Sequence, residues 1–391
     1  MHSGNGGEHL SPIQVLFGSD AQTTIGRALA EVRAGRPILI VGPEGGSAIP
    51  LLALPAERLQ DATLMAFREF VAPGTPRLVL SARRACAIGQ HVKEPVRLEL
   101  PAAIDAGTVL GLVKAPAVTT ELETTPASAL ERAGIRLTKH AQLLPALLAA
   151  DVPTGRLNAM ARLTVQVEEA AIDRFLGESH SSLSIVSEAY VPLESNGRAR
   201  FVIFRDGLGE TSTAVIVGKP DPAGPVPVRL HSACLTGDVF GSRRCDCGDQ
   251  LRLALARLSE IGGGIVLYLS QEGRGLGLAN KMRAYALQDT GLDTVDANTM
   301  LGFDDDERDY GTAARMLRLL GCNQVRLLTN NPAKLEGLAR AGIDLAGRIP
   351  LEAAINADNR RYMMAKAERA GHQFEALATQ REDKGAPEPV A

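Results

Sequence analysis

The chain has 391 residues, which predicts two domains, or three, at roughly 100–200 residues each. Hydrophobic residues make up 45% and charged residues 22%, a globular composition that excludes wholesale disorder. The net charge is −3, with 17 Lys+Arg against 18 Asp+Glu in residues 1–180 and 25 against 27 beyond, so neither half is a basic nucleic-acid module. Aromatic residues are 4% and Trp is absent, which argues against a stacking surface for single strands. Any anion-binding surface must therefore be local. The start, MHSGNGGEHL, lacks the basic and apolar regions of a signal peptide. No apolar run approaches the roughly 18 residues of a membrane span. The expectation is a cytoplasmic chain with no membrane or nucleic-acid partner. Five cysteines without a secretion signal do not suggest disulfides. Cys86 and Cys322 stand alone, whereas Cys234, Cys245 and Cys247 cluster.

In chain order, residues 1–12 read as frayed. Ile25, Ala28, Leu29 and Val32 fall at helical spacing, so 22–33 is a predicted helix. Ile38–Val41 is a buried strand closed by the turn GPEGG, and Arg77–Leu80 is another short strand. Residues 126–134 and 140–150 read as short helices, Gly155–Arg162 as a loop and Glu168–Leu176 as a helix. SHSSLS at 179–184 is the expected domain boundary, giving domains at 13–180 and 181–375. Strands follow at 184–190, 200–205, 213–217 and Val226–His231. Leu251, Leu255 and Leu258 mark a helix ended by the glycines 262–264. Then come a strand at Ile265–Leu269, helices at 279–289 and 308–320, and a strand at Val325–Thr329. Asn330-Asn331-Pro332 places an Asn N-cap and a Pro at N1 before a helix ended by Gly342. Residues 376–391 read as a disordered tail. Strands alternating with helices predict an α/β chain of two mixed α/β domains, the C-terminal one layered.

Four constellations carry candidate chemistry. Cys234, Cys245 and Cys247 form C-x10-C-x-C, a credible site for Zn²⁺, which favours thiolates in tetrahedral geometry. A catalytic zinc would keep one position for water. A structural one would need a fourth ligand, for which His231, Cys322 and Asp246 are candidates, and a site without metal stays open. The H-x-E and P-C-x-x-C pattern of zinc deaminases is absent. Gln271-Glu272-Gly273-Arg274-Gly275-Leu276-Gly277 follows a strand directly. Such a glycine-rich turn brings N–H groups close to phosphate, or is simply a tight turn needing φ > 0. The acidic run 304–309 suits a helix start or Mg²⁺ chelation, while the Arg308 inside it fits a phosphate partner better. Thr329 to Lys334 places hydroxyl, amide and ammonium groups at a strand end and helix start, where ligands of α/β sheets gather. Together these suggest a metal-dependent hydrolase acting on a nucleotide.

The segments RLHSACLTGDVFGSRRCDCGDQL, LSQEGRGLGLANKMRAYALQDTGLDTVDAN, LGFDDDERDYGTAARMLRLLG and VRLLTNNPAKLEGLARAGI together resemble GTP cyclohydrolase II. The similarity runs from about Ser181 to about His372, with several motifs in order and spacing. It implies hydrolytic opening of the GTP imidazole ring, with loss of formate and pyrophosphate. The product would be 2,5-diamino-6-ribosylamino-4(3H)-pyrimidinone 5′-phosphate, in the first step of riboflavin synthesis. By this resemblance Cys234, Cys245 and Cys247 hold one catalytic Zn²⁺ per subunit, and Mg²⁺ accompanies the GTP phosphates. Arg229, Leu230, His231, Ser232 and Ala233 line the GTP site with Gln250, Glu272, Gly273, Arg274, Thr294, Thr329 and Lys334. Asp306 is the implied proton acceptor and Arg308 the nucleophile toward the α-phosphorus, with phosphate stabilisation as the alternative for Arg308. Tyr285 lies near the guanine, and a homodimer is implied. Ala233 stands where some members carry Glu, which leaves open a non-catalytic GTP-binding or scaffold paralogue.

Residues 13–178 resemble 3,4-dihydroxy-2-butanone 4-phosphate synthase, through GRPILIV and LTKHAQLLPALLAADV. The acidic cluster expected after the first strand is replaced by Gly42-Pro43-Glu44-Gly45-Gly46. The expectation is a degenerate domain inactive as a synthase, with His140 a packed residue and a scaffold or dimerisation role.

Overall fold

The computed structural model describes residues 19–115, 123–194 and 197–356, with positions 16, 359, 363, 364 and 367. The expected frayed start (1–12) and tail (376–391) lie outside the described residues. The chain divides into two compact units, one of residues 1–178 with 299–304, the other of 179–298 with 305–391. Each is mixed α/β around its own sheet, the expected fold class.

The first unit holds β1 (Ile38–Val41), β2 (Leu51–Pro55), β3 (Arg77–Leu80), β4 (Val96–Glu99), β5 (Thr125–Pro126), β6 (Ala146–Asp151) and β7 (Val165–Glu168), in the spatial order β5-β4-β3-β6-β2-β1-β7. Only the β1–β7 pair is parallel. Helix Ala129–His140 opens with a capping box between Ser128 and Glu131. A Cβ at Gly134 would stand 2.5 Å from Leu147 Cδ1, so glycine lets this helix seat directly on β6. His140 closes the helix with its ring edge-on to Phe175, at 6.0 Å between centroids. Glu44, in the turn after β1, is exposed.

Two expectations fail here. Residues 140–150 are not a helix, because 146–151 form β6, paired to β2 and β3 on its two sides. Leu and Ala favour a helix, but burial on both faces of a central strand overrides propensity. Residues 155–162 are not a loop but the end of a 3₁₀ turn running into helix Leu157–Leu163. The strands β2 and β4 and the helices Asp61–Val71 and Ala106–Lys114 had no sequence counterpart.

The second unit holds β8 (Ser184–Leu193), β9 (Gly197–Arg205), β10 (Thr211–Gly218), β11 (Val226–Ser232), β12 (Gly263–Leu269), β13 (Gln324–Leu328) and β14 (Asp344–Ile349), in the order β14-β13-β11-β12-β10-β9-β8. Side chains alternate between its faces, as a strand requires. Ile265, Leu267 and Leu269 join Ala313, Met316, Leu317 and Leu338 on one side. Val266 joins Ala254 and Leu258 on the other. The sheet is therefore layered, with helices Gly311–Leu319 and Pro332–Arg340 on one face and Cys247–Glu260 on the other.

Strands β11, β12 and β13 are adjacent and parallel, so their carboxyl ends lie side by side. That edge is where ligands of open α/β sheets bind. The predicted helix over 308–320 begins only at Gly311. Asp306 Oδ1 accepts from the Arg308 N–H at 3.1 Å, and Asp309 Oδ1 from the Gly311 N–H at 2.9 Å. These local turns compete with the helix.

Candidate active site

The chain leaves β11 at Ser232 and reaches Cys234, while Cys245 and Cys247 stand at the start of helix Cys247–Glu260. The three sulfurs lie within 4.8 Å of one another, and Cys234 Sγ is 3.7 Å from Cys245 Sγ. A Cβ at Gly237 would stand 2.9 Å from Cys245 Sγ and 3.1 Å from Cys234 Sγ. The loop can thus wrap the thiols only with glycine there. Three convergent thiols around such a cradle fit a zinc ion. They are the only group of three His, Cys, Asp or Glu among the described residues that could hold a metal.

The candidate fourth ligands are engaged elsewhere. Cys322 lies in the hydrophobic core, its thiol 3.7 Å from the Leu320 carbonyl. The Asp246 carboxylate accepts from Gln250. His231 Nε2 is 3.0 Å from Asp238 Oδ1, and its ring stacks on Tyr268 at 5.5 Å. Burial lowers the His231 pKa, so the imidazole is neutral at pH 7. Asp238 also accepts from the Tyr268 hydroxyl (2.9 Å) and the Cys234 N–H (3.0 Å), which fixes the loop that carries the first thiol.

Lys281 was missed in the sequence. Its ammonium donates to Cys234 Sγ (3.0 Å), Thr236 Oγ1 (2.9 Å) and Glu272 Oε1 (2.8 Å). It stands in the first turn of helix Leu278–Asp289, the wrong end of the dipole for a cation, and that was the available signal. Burial works against the charged ammonium, but its bonds to Cys234 and Glu272 outweigh this and hold its pKa above the usual lysine value. Hydrogen bonds from Cys245 and Cys247, with Lys281 beside them, hold the Cys234 thiol far below the ordinary thiol range. The bond to Cys234 in turn pushes Cys245 up.

The glycine-rich turn follows β12. Gly273 (φ 62°) and Arg274 (φ 63°) are both left-handed, a strained conformation for arginine. Arg274 Nη1 donates to Asp305 Oδ1 at 2.7 Å, and the Arg274 carbonyl accepts from the Glu307 N–H at 3.1 Å. A Cβ at Gly275 would stand 2.8 Å from the Glu307 carbonyl oxygen. Glycine thus lets this turn lie against 305–307. Glu272 Oε2 accepts from the Leu235 N–H at 2.7 Å, which ties the turn to the thiol loop as well.

Arg308 pairs with Asp306 through two N–H groups, with Nε at 2.7 Å from Oδ1. Burial alone would raise the Asp306 pKa, but the guanidinium prevails and holds it below the usual carboxylate value. Arg229 is buried and donates to the Leu328 carbonyl (2.9 Å) and to Gln250. Burial brings its pKa down to about 10, which leaves it charged at neutral pH. After β13, Thr329 Oγ1 accepts from the Asn331 N–H at 3.0 Å, and Asn331 caps helix Pro332–Arg340 by accepting from the Ala333 N–H at 2.9 Å. Lys334 Nζ donates to the Leu230 carbonyl at 2.7 Å. Arg244 lies over the Tyr285 ring at 4.4 Å.

One cleft gathers most of the sequence-predicted site. It is lined by Arg229, His231, Ser232, Ala233, the three cysteines, Gln250, Glu272, Gly273, Arg274, Tyr285, Arg308, Thr329 and Lys334, joined by Lys281, Asn330 and Asn331. Three residues named from the sequence are not among its lining. The Leu230 side chain is in the core, Asp306 sits behind Arg308, and the Thr294 hydroxyl accepts from Gln288 at 3.4 Å. The cleft's cations face a thiol cluster, an arrangement suited to an anion held beside a metal.

The sequence pattern of the GTP cyclohydrolase II family matches residues 184–350. GTP cyclohydrolase-2 of Xylella fastidiosa (strain 9a5c) is 39% identical over 92% of this chain and 89% of its own. The riboflavin biosynthesis protein RibBA of Phocaeicola vulgatus is 50% identical over 45% of this chain and 44% of its own. A crystal structure of RibBX, a two-domain 3,4-dihydroxy-2-butanone 4-phosphate synthase from A. baumannii, covers 84% of this chain and 99% of its own at 17% identity, with a TM-score of 0.33. No helix among the described residues is long and apolar enough to cross a membrane.

Proposed function

Because the chain belongs to the GTP cyclohydrolase II family, we propose that it opens the imidazole ring of GTP by hydrolysis, releasing formate and pyrophosphate, as a step toward riboflavin. The observation that carries this reading is the meeting of three thiols with Arg229, Arg274, Arg308 and Lys334 in one cleft. Cys234, Cys245 and Cys247 would hold zinc, which when bound would supply an activated water for attack at C8 of guanine near neutral pH. Three thiolates weaken the metal as a Lewis acid, and Lys281, 3.0 Å from Cys234 Sγ, offsets part of their charge.

Arg274, Arg308 and Lys334 bind the triphosphate, and Mg²⁺ accompanying it would neutralise part of its charge. Arg308 keeps its proton in the bidentate pair with Asp306, which makes it a poor nucleophile and a good clamp for the charge that builds as pyrophosphate leaves. Asp306 is thereby the group that orients Arg308. Tyr285, covered on one side by Arg244, sits at the guanine end. The first unit is inactive as a synthase on this reading, since Glu44 is the one acid in the turn Gly42-Pro43-Glu44-Gly45-Gly46, where an acidic cluster is expected.

The test is incubation with GTP, Mg²⁺ and Zn²⁺, followed by assays of formate and of the pyrimidine product. Equal formate and pyrophosphate are expected, with Cys245→Ser inactive and ribulose 5-phosphate left unconsumed. Zinc-loaded, folded protein that yields no formate contradicts the reading.

A further inference from the structure

Strand β11 brings Arg229 and His231 to the cleft, two residues apart and therefore on one face of the sheet. They are 5% and 2% exposed. Each keeps one buried side-chain nitrogen without a hydrogen-bond partner among the described residues, Nε of Arg229 and Nδ1 of His231. Buried polar groups are nearly always paired, because an unpaired one costs stability. Both residues line the cleft, so its occupant is the partner that can satisfy them.

The polarity of each atom is fixed by its neighbours. A guanidinium has no acceptor, so Arg229 Nε is a donor. The rest of the fork holds it in place, with Nη1 on the Leu328 carbonyl (2.9 Å) and Nη2 on Gln250, which itself donates to Asp246. His231 Nε2 lies 3.0 and 3.1 Å from the two oxygens of Asp238. That carboxylate also accepts from the Tyr268 hydroxyl and the Cys234 N–H, so it faces the ring as an acceptor and the ring proton sits on Nε2. A second proton, on Nδ1, would be buried with no acceptor. Nδ1 therefore presents its lone pair. Tyr268, stacked on the imidazole at 5.5 Å and 17°, fixes the ring plane.

The cleft thus offers one fixed donor and one fixed acceptor. The lactam edge of a 6-oxopurine is their complement, since its O6 accepts and its N1–H donates. A 6-aminopurine has the opposite polarity, and would set donor against donor and acceptor against acceptor. Ribose hydroxyls rotate to suit either pattern and gain nothing from fixed groups. We propose that Arg229 Nε and His231 Nδ1 read the lactam edge of the purine, with Asp238 as the positioning residue that sets the His231 tautomer. This assignment deepens the proposed GTP reading and rests on it for the class of ligand.

The test is calorimetric binding to the zinc-loaded full chain. The probes are the 5′-triphosphates of 7-deazaguanosine and of 7-deaza-2,6-diaminopurine riboside. Neither has an imidazole ring to open, and they differ only in carrying the lactam or the 6-amino edge. Wild type is expected to bind the oxo probe on the order of 100-fold more tightly. In His231→Gln an amide nitrogen replaces Nε2 on Asp238, but no acceptor remains at the Nδ1 position. Affinity for the oxo probe should fall on the order of tenfold, and the preference with it, at wild-type zinc content and thermal midpoint. His231→Asn places an amide oxygen near the Nδ1 position and should keep the larger part of the preference. In Asp238→Asn the amide donates to Nε2 and moves the ring proton to Nδ1, so the preference should fall with His231 still present. A role of His231 confined to holding Asp238 predicts the reverse order, with zinc lost in H231N and the preference kept in H231Q. Full preference in both H231Q and D238N overturns the proposal, as does a wild-type chain that binds the two probes equally or not at all. Formate release from GTP is assayed separately. Formate from a wild type whose variants keep full preference leaves the GTP reading standing and removes the edge assignment. A preference without formate does the opposite.

Discussion

Lys281 Nζ donates to Cys234 Sγ at 3.0 Å, and the same ammonium holds Glu272 at 2.8 Å. The thiol cluster and the glycine-rich turn are thereby joined by one cation. Lys281→Met removes the charge and keeps much of the apolar stem. Supporting groups of this kind cost roughly 10- to 100-fold in metal affinity or activity when lost. The variant should need more zinc for half-maximal activity, and a zinc titration followed by formate release measures this. An unchanged titration would show that the ammonium has no share in the site.

Gly237 makes a second prediction. Its Cβ position is 2.9 Å from Cys245 Sγ and 3.1 Å from Cys234 Sγ, closer than side-chain carbons approach sulfur without displacement. Gly237→Ala should splay the thiols and leave the protein folded but poor in zinc. Metal analysis after dialysis against zinc is the measurement, with circular dichroism to confirm the fold. Full zinc content in G237A would contradict the cradle.

The Asp306–Arg308 pair sets the pH behaviour. The folded-state pKa of Asp306 is held below the usual carboxylate value of about 3.9. Its stabilising contribution is therefore complete above about pH 4 and is lost only as pH falls through the depressed value. Between pH 5 and 8 Asp306 stays ionised, so it contributes no limb to the rate profile. Asp306→Asn should lower kcat by the same factor at every pH in that window. A profile whose acid limb moves in the variant would instead make Asp306 the proton acceptor, and Arg308 a deprotonated nucleophile.

Gly302 and Gly89 offer a matched pair within the first unit. Their φ angles are +91° and +92°. A Cβ at Gly302 meets Ser81 Oγ at 2.8 Å and Pro145 Cγ at 3.0 Å, whereas at Gly89 nothing lies within 4 Å. Both alanine variants bear the backbone strain, about 1–3 kcal/mol, and G302A adds the clash. Urea denaturation should rank G302A below G89A. Equal midpoints would mean that residues 299–304 are loosely held.

The site was legible where residue type and spacing carry the chemistry. Three cysteines in a short span, and an Asn-Pro cap followed by lysine, needed no tertiary information. Residues that act through partners distant in sequence were less visible. Asp238 reads as one more loop acid until Cys234, His231 and Tyr268 are brought around it. The acidic run 304–309 looked like a helix start, yet its carboxylates close turns and pair with Arg83, Lys139, Arg274 and Arg308. In the first unit, Leu147 to Ala150 have the composition of a helix and the surroundings of a central strand. Local propensity cannot report a neighbour on each side. That Met300 to Asp304 would fold with Ser81 and Arg84, some 220 residues earlier, has no local signal at all.

The most direct test of the account is the origin of the oxygen atoms in the formate. C8 of guanine is bonded to two nitrogens and a hydrogen, so hydrolytic opening must take both formate oxygens from water. Zinc-loaded protein given GTP and Mg²⁺ in oxygen-18 water should release formate labelled at both oxygens, with the pyrimidine nucleotide in equal amount. Guanine nucleotide recovered with its ring closed, and no labelled formate, would contradict the central claim.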